Sequence, residues 1–415
     1  MARFRPILRK IQTPFVTLKL WLPRLVTYFS TLYVETPSMR RRPWPIRAAA
    51  GQTDGRAAIQ DAGWGSTRMA RRFKEFLKRL PVLKQAMLQL DTWRRVEMET
   101  DRLDRQASEA LYLHYKHLKP EEYPQALVDW YRLRTGETLD IEHPRTFNEK
   151  MQWLKLHDST PLKTRLADKY RVREYVRKKV GEDHLIPLLG VWNRFDDIDF
   201  DALPQRFCLK ANHGSGWNVI VRDKKMLDRA AVKRKFDEWL GMSYAFCKGL
   251  ELYYKAIPPK IVAEAYIENA SGQLYDYKVW CFGGKPEYIT FLADRRTKLK
   301  MVFHDLAWVP QPFVYNYPRY EEPVPRPSNL DELLSLAQKL AGGFPFVRVD
   351  LYRLDDGSLK FGEMTFTPHS GICKWTPPQW NRKLGEMIPV PLEDSLVDGK
   401  ALSASHWLAT SELVS

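Results

Sequence analysis

Arg348, Asp350, Glu363 and Thr365 lie in FVRVDLYRLDDGSLKFGEMTF (346–366), which reads as two alternating strands joined by Asp355-Asp356-Gly357-Ser358. Asp-Gly supplies the positive φ that a tight hairpin needs. Folded symmetrically about Asp356-Gly357, the hairpin sets Asp350 opposite Glu363 and Arg348 opposite Thr365. Alternate strand residues share a face, so all four side chains meet there. Directly opposed carboxylates have Cβ atoms about 4.5–5.5 Å apart and repel. A hard cation relieves that repulsion, and Mg²⁺ takes one or two carboxylates plus phosphate oxygens. Arg348 adds a fixed cation suited to negative charge developing on a transferring phosphoryl group. The same residues fit a solvated hairpin with scattered charges, because one bulge exchanges the two faces.

Two further constellations precede this one. Lys210 stands just before His213-Gly214-Ser215-Gly216. A strand lysine ahead of a glycine turn can set its ammonium on a phosphate while backbone N–H groups approach the same oxygens. The spacing is neither that of a P-loop nor of a dinucleotide-binding fingerprint, and it also fits a plain structural hairpin. Glu264, in the apolar run Ile261–Ile267, and Asp276, in Asp276-Tyr277-Lys278, are acids that could meet a heterocycle and a ribose, or simply face solvent. His213 and His369 fit loop hydrogen-bonding better than proton transfer. Asp294-Arg295-Arg296 fits either an anion-holding or an inert loop. Trp280, Trp308 and Trp375 read as packing residues.

These groups need a scaffold, and the chain can build one. Its 415 residues are 44% hydrophobic and 13% aromatic, which excludes a disordered chain and allows two or more domains. The net charge of +16 suggests nucleic acid, but residues 1–100 hold 20 Lys+Arg against 7 Asp+Glu. The basicity therefore belongs to an N-terminal extension and not to the region bearing the chemistry. Cys208, Cys247, Cys281 and Cys373 stand singly, without metal or disulfide spacing, and read as buried reduced thiols. Pro14–Val34 is interrupted by Lys19, Pro23 and Arg24, too broken to span a bilayer comfortably. It fits an unstructured tail, a segment lying on an anionic membrane surface, or untranslated sequence ahead of a start at Met69.

Residues 1–68 read as a basic, Pro/Arg-rich extension and 69–140 as a charged helical region. Helices are expected at Pro120–Tyr131, Asn148–His157 and Pro161–Val180, the last closed by Gly181. From Arg206 the pattern turns to strands: Phe207–His213, Asn218–Arg222, Ile261–Ile267, Leu274–Phe282 and Glu287–Ala293. Helices at Asp228–Leu240, Leu330–Leu340 and Pro377–Ile388 complete the pattern. Residues 141–205, 206–270 and 271–390 form successive segments, and 391–415 a tail without strong pattern.

The order of lysine, glycine loop, apolar strand with Glu, then Arg-x-Asp, turn and Glu resembles the ATP-grasp superfamily. The closer resemblance is to its TupA-like family, named for teichuronopeptide synthesis and common in bacterial cell-surface polysaccharide gene clusters. It is carried by TFNEKMQWLKLHD (146–158), ADKYRVREYV (167–176), IPLLGVW (186–192), LKANHGSG (209–216), VAEAYIE (262–268), DYKVWCFGGKP (276–286), FPFVRVDLY (344–352) and FGEMTF (361–366). The resemblance implies an α+β ATP-grasp fold, two α+β subdomains clasping a nucleotide behind a mainly helical N-terminal region.

By position it implies that Lys169 and Lys210 contact ATP and that His213, Gly214, Ser215 and Gly216 cover the triphosphate. Glu264 falls on the adenine side and Asp276 at the ribose. Arg348 and Lys210 become catalytic, and Asp350, Glu363 and Thr365 hold Mg²⁺. Where many ATP-grasp ligases continue Glu-x-Asn, this chain has Thr365, a poorer metal ligand. The implied reaction is ATP-dependent ligation of a carboxylate to an amine through an acyl phosphate. The implied substrates are a polysaccharide or uronic-acid acceptor and an amino-acid or amine donor. The expected location is the cytoplasm or the inner face of the plasma membrane, with peripheral contact through the N-terminus. A glycosyltransferase-like enzyme using a nucleotide sugar is the second reading, and a nucleic-acid-binding module the third.

Overall fold

The computed structural model describes residues 107–270, 274–293 and 299–390. The expectations for residues 1–68, for 69–106, for Asp294-Arg295-Arg296 and for the 391–415 tail lie outside the described residues. No described helix is long and apolar enough to cross a membrane.

Helices α1 (107–117), α2 (Tyr123–Thr135) and α3 (Phe147–His157) come first. Thr146 starts α3 through a capping box: its hydroxyl accepts the Glu149 N–H, and the Glu149 carboxylate accepts the Thr146 N–H at 2.8 Å. The run 161–180, expected as one helix, is two: α4 (Pro161–Ala167) and α5 (Val172–Val180). Asp168 causes the break. Its carboxylate accepts the backbone N–H groups of Tyr170 (2.8 Å) and Arg171 (3.3 Å), a local alternative to continuing the α4 ladder. The interruption falls on Lys169.

Strands β1 (Leu188–Trp192), β2 (Phe207–Ala211), β3 (Asn218–Val221) and β4 (Ile261–Ala265) form an antiparallel sheet in the order β1-β4-β2-β3. This sheet takes β1 from ahead of residue 206, so the expected segment boundary there cuts through it. Phe207, Leu209, Ala211, Ile261 and Ala263 face a core closed by Val232 and Phe236 of α6 (Arg229–Leu240). Strand alternation then turns Lys210 and Glu264 to the opposite face.

The second sheet joins β5 (Tyr275–Phe282), β6 (Lys285–Ala293), β7 (Lys300–His304), β9 (Phe346–Arg353) and β10 (Leu359–Thr365) in the order β10-β9-β5-β6-β7. Short strands β8 (Val314–Tyr315) and β11 (Trp375–Thr376) pair beside it, and α7 (Leu330–Ala341) and α8 (Trp380–Glu386) complete the described elements. Val279, Val347, Val349 and Leu351 pack with Leu333, Leu336 and Leu340 of α7. On the other face Trp280, Phe282 and Phe346 pack with Phe147, Met151 and Leu154 of α3. Along that face the surface changes from apolar, beneath α3, to charged at Asp276, Lys278, Arg348 and Asp350.

The β9–β10 register holds a correction. Near the turn Leu359 pairs with Arg353 and Phe361 with Leu351, whereas beyond Gly362 Glu363 pairs with Asp350 and Thr365 with Arg348. The turn is therefore not symmetric about Asp356-Gly357. Leu354 and Ser358 close a three-residue loop with Gly357 at φ 85°, a usual geometry for that loop length. A bulge at Gly362 then restores the expected pairing. It also exchanges faces: Leu359 and Phe361 enter the core before it, Met364 and Phe366 after it, which frees Glu363 and Thr365 to join Arg348 and Asp350. Gly362 suits the bulge because a Cβ there would stand 3.0 Å from the Asp350 carbonyl oxygen and 3.1 Å from the Tyr352 ring.

Candidate functional site

The first sheet brings Lys169, Lys210 and Glu264 together. Lys169 comes from the α4–α5 break, and its backbone N–H donates to the Asn212 carbonyl at 3.1 Å. Asn212, two residues past Lys210, donates from its amide to Asp168 at 2.9 Å. These two bonds tie the lysines' backbones to each other. The Lys169 ammonium donates to the Gly214 carbonyl, placing it against the glycine loop. The Lys210 ammonium donates to Glu264 at 2.5 Å, and the other Glu264 oxygen accepts from Arg173 at 3.2 Å. Burial pushes the Lys169 ammonium's pKa down, opposed chiefly by the Glu363 carboxylate. Burial acts the same way on Lys210, but Glu264 carries its net shift upward, so it stays charged.

The glycine loop sits as expected between β2 and β3, closed by the Ala211 N–H to Trp217 carbonyl bond of 2.9 Å. His213 is buried in it. Its ring nitrogens lie 3.2 Å from the Asn212 side-chain oxygen and 3.0 Å from the Trp239 carbonyl. The imidazole therefore braces the loop.

The second sheet gathers Arg348, Asp350, Glu363 and Thr365 on one face, alternation holding within each strand and the Gly362 bulge aligning the two strands. The opposed carboxylates are not a bare pair. The Arg348 guanidinium holds Asp350 through two bonds of 2.7 Å and also reaches Thr365 (3.0 Å) and Glu363 (3.4 Å). Lys278, on adjacent β5, donates to Asp350 and lies 3.0 Å from Asp276. Asp276 is thus placed with this cluster. Burial raises the Asp350 carboxyl's pKa, but Arg348 and Lys278 outweigh it and hold the group below the usual range. Arg348 is shifted upward: burial opposes its charge and Asp350 more than offsets that.

Glu363 links the two clusters. It lines one pocket together with Lys169, walled by Leu166, Val172, Tyr254 and Met364. Its charge also favours the ammonium of Lys169, ahead of Glu264 and Asp168, and that of Lys210. Asp350, Glu363 and Thr365 offer only hard oxygen donors, a set that fits Mg²⁺. Among the described residues no three or more His, Cys, Asp or Glu are placed so that they could hold a metal ion together, so the remaining positions around such an ion would fall to phosphate and water.

Sequence reasoning missed Lys278 and Arg173. Lys278 had a signal: it stands two residues from Asp276 on an expected strand, hence on the same face. Arg173 had none, because its partner Glu264 lies 91 positions away. The cysteines are all free, but only Cys281 and Cys373 are buried, while Cys208 and Cys247 are partly exposed.

No curated protein matches the sequence. Solved structures similar to it include D-alanine–D-alanine ligase from Bacillus anthracis complexed with ATP, at 20% identity over 49% of this chain and 54% of that one, TM-score 0.28. Another is N5-carboxyaminoimidazole synthetase from Staphylococcus aureus, at 13% identity over 48% of this chain and 44% of that one, TM-score 0.29. The chain spans about half the length of these proteins. The model of one family, TupA-like ATP-grasp, matches residues 149–389, more than half the sequence, and takes in both sheets and every site residue named above. The chain belongs to the TupA-like ATP-grasp family.

Proposed function

We propose that this chain activates a carboxylate with Mg-ATP and ligates it to an amine. The observation that supports this best is the position of Glu363, shared between the lysines of one sheet and the Arg348–Asp350–Lys278 cluster of the other. A triphosphate laid along that line meets cations from both sides. Lys169, Lys210 and the backbone of Gly214–Gly216 hold its phosphates, and Glu264 and Arg173 fix the direction of the Lys210 ammonium. Asp350, Glu363 and Thr365 would hold Mg²⁺, which would supply neutralisation of phosphate charge. Asp276 orients Lys278, and its expected contact with the ribose stays part of this proposal, as does the adenine-side place of Glu264.

In the first step a carboxylate oxygen attacks the γ-phosphorus and ADP leaves. Arg348, pre-set by its two bonds to Asp350, stabilises the transferring charge without reorganising. In the second the amine attacks the acyl carbon, inorganic phosphate leaves and the amine nitrogen gives up a proton. A uronic acid or polysaccharide carboxylate with an amino-acid donor is the substrate class we infer, in cell-surface polysaccharide synthesis, with the N-terminal segment making peripheral membrane contact.

Release of phosphate and ADP from Mg-ATP, screened over uronic acids paired with amino acids, tests this. The expected result is a pair that yields ADP, phosphate and amide in equal amounts. Turnover of a UDP- or GDP-sugar in place of ATP would overturn the proposal in favour of glycosyl transfer.

A further inference from the structure

Three residues, Asn316 (φ 57°), His369 (46°) and Ser370 (55°), hold left-handed backbone without being glycine, and His369 lies near enough to Arg348 and Lys278 of the second sheet to feel their charge. Such strain persists only where surroundings over-determine it, and it concentrates at functional positions. Here the restraint is explicit. From the buried face of α3, Lys155 donates to the Ser370 carbonyl (2.7 Å) and hydroxyl (2.9 Å), and Gln152 donates to the carbonyls of Ser370 (3.1 Å) and Gly371 (2.7 Å). The Ser370 hydroxyl donates in turn to the Lys248 carbonyl at 2.5 Å. Ser370 is buried by these bonds, and His369 is left exposed.

The tautomer of His369 follows from a backbone donor. The Lys374 N–H donates to Asn316 Oδ1 at 2.8 Å, which fixes that atom as the amide oxygen. Asn316 Nδ2 must then be the donor in its 3.0 Å contact with His369 Nδ1, so the imidazole proton resides on Nε2. Tyr315 and Tyr317 approach the ring at 5.1 and 5.9 Å between centroids, both at steep angles. Among the described residues Nε2 has no hydrogen-bond partner. Although one edge of the residue is exposed, the surrounding protein desolvates the ring, and with Arg348, Lys248 and Lys278 nearby this pulls the imidazole pKa down, so the ring is neutral at neutral pH. A neutral ring whose Nδ1 accepts from Asn316 and whose Nε2 already carries hydrogen cannot take a proton from an amine. It can only donate, and the charges around it are positive.

We propose that His369 forms the carboxylate subsite of the cleft: Nε2–H donates to an oxygen of the anionic substrate, with the Lys248 ammonium beside it. The substrate class is a carboxylate-bearing sugar or amino acid. This rests on the ligase reading only in taking that carboxylate as the group to be activated.

The test uses full-length protein labelled with ¹⁵N-histidine, the His369 signal being assigned by its loss in His369→Asn and His369→Phe. Sodium D-glucuronate is the probe, D-glucose the uncharged control, and Mg-ADP is present throughout. The expected spectrum shows the Nε2–H neutral form at pH 7, shifted by glucuronate and not by glucose. His369→Phe keeps a ring but no donor, and should weaken glucuronate binding about tenfold or more. His369→Asn tolerates positive φ and keeps an N–H, so it should stay within a few-fold of the original, with Mg-ADP affinity unchanged in both. An Nδ1–H or charged ring at pH 7, an equal response to glucose, or undiminished glucuronate binding by His369→Phe would overturn the proposal. If Mg-ADP itself fails to bind the unmodified protein, the ligase reading falls, while the response of His369 to glucuronate still decides the subsite.

Discussion

Arg348 is the side chain through which Asp350, Glu363 and Thr365 are held as one unit, so changes at its neighbours separate catalysis from folding. Glu363 is partly exposed and has one weak bond to Arg348 and one to Thr365. Glu363→Gln keeps shape and removes charge; it should cut Mg-ATP turnover at least about 100-fold and leave the circular-dichroism melt unchanged. Undiminished turnover would contradict the site. Lys278→Met differs, because Asp276 and Asp350 are both buried and both lose a cation. Here turnover should fall and urea stability should drop by about 1–3 kcal/mol. Alternation within each strand made Arg348 with Asp350 and Glu363 with Thr365 legible in sequence, but Asp350 meets Glu363 only because the Gly362 bulge offsets the shifted register of the turn. Lys278 obeyed the same rule and was overlooked beside Asp276. Arg173 was not legible, since no local pattern reports which helix residue meets a strand 91 positions on.

At the scale of elements, the bulge and the stripe along α3 decide where these side chains go. Deleting Gly362 removes the bulge and turns Glu363 and Thr365 into the core, so we expect no soluble folded protein. Gly362→Val only crowds the Asp350 carbonyl and Tyr352 and should cost about 1–3 kcal/mol in a urea titration; no loss would mean that the bulge is not set by that close approach. Asn148, Gln152 and Lys155 follow i, i+4, i+7 spacing and are all buried, which puts them on one helix face. Asn148 donates to the Cys373 carbonyl at 2.9 Å, so the whole stripe clamps 370–373. Lys155→Met removes both bonds to Ser370 and strips buried Glu251 of the positive charge that acts on it most. It should cost about 3–5 kcal/mol and broaden the His369 signal; an unchanged melt would contradict the clamp. The helix itself was expected at Asn148–His157, one residue short of its observed start. Its polar stripe was not, because polar residues at helical spacing ordinarily face water.

At the scale of the molecule, acid should weaken the fold through buried histidine. His304 is 3% exposed, stacks on Trp308 at 4.3 Å and has an unpartnered Nδ1. Burial pulls its pKa down to about 4. The unfolded chain binds that proton near pH 6.5 and the folded one only near 4, so the stability His304 contributes is complete above 6.5 and is lost as pH falls from 6.5 through 4. About 2 kcal/mol should be gone at pH 5, and His304→Phe should flatten that slope; an unchanged slope would contradict the assignment. Both sheets were legible in outline, including the glycine loop and β9–β10. Strands β1, β7, β8 and β11 escaped notice because their pairing partners, not their own short runs, make them strands.

The claim that joins these scales is that the cleft between the sheets is built for Mg-ATP. Thermal unfolding of the full chain with Mg-ATP, UDP-glucose and GDP-mannose tests it most directly. Mg-ATP at about 100 times its dissociation constant should stabilise the protein by about 2.7 kcal/mol, and Lys210→Ala should abolish the shift. Stabilisation by a nucleotide sugar and not by Mg-ATP would contradict the account.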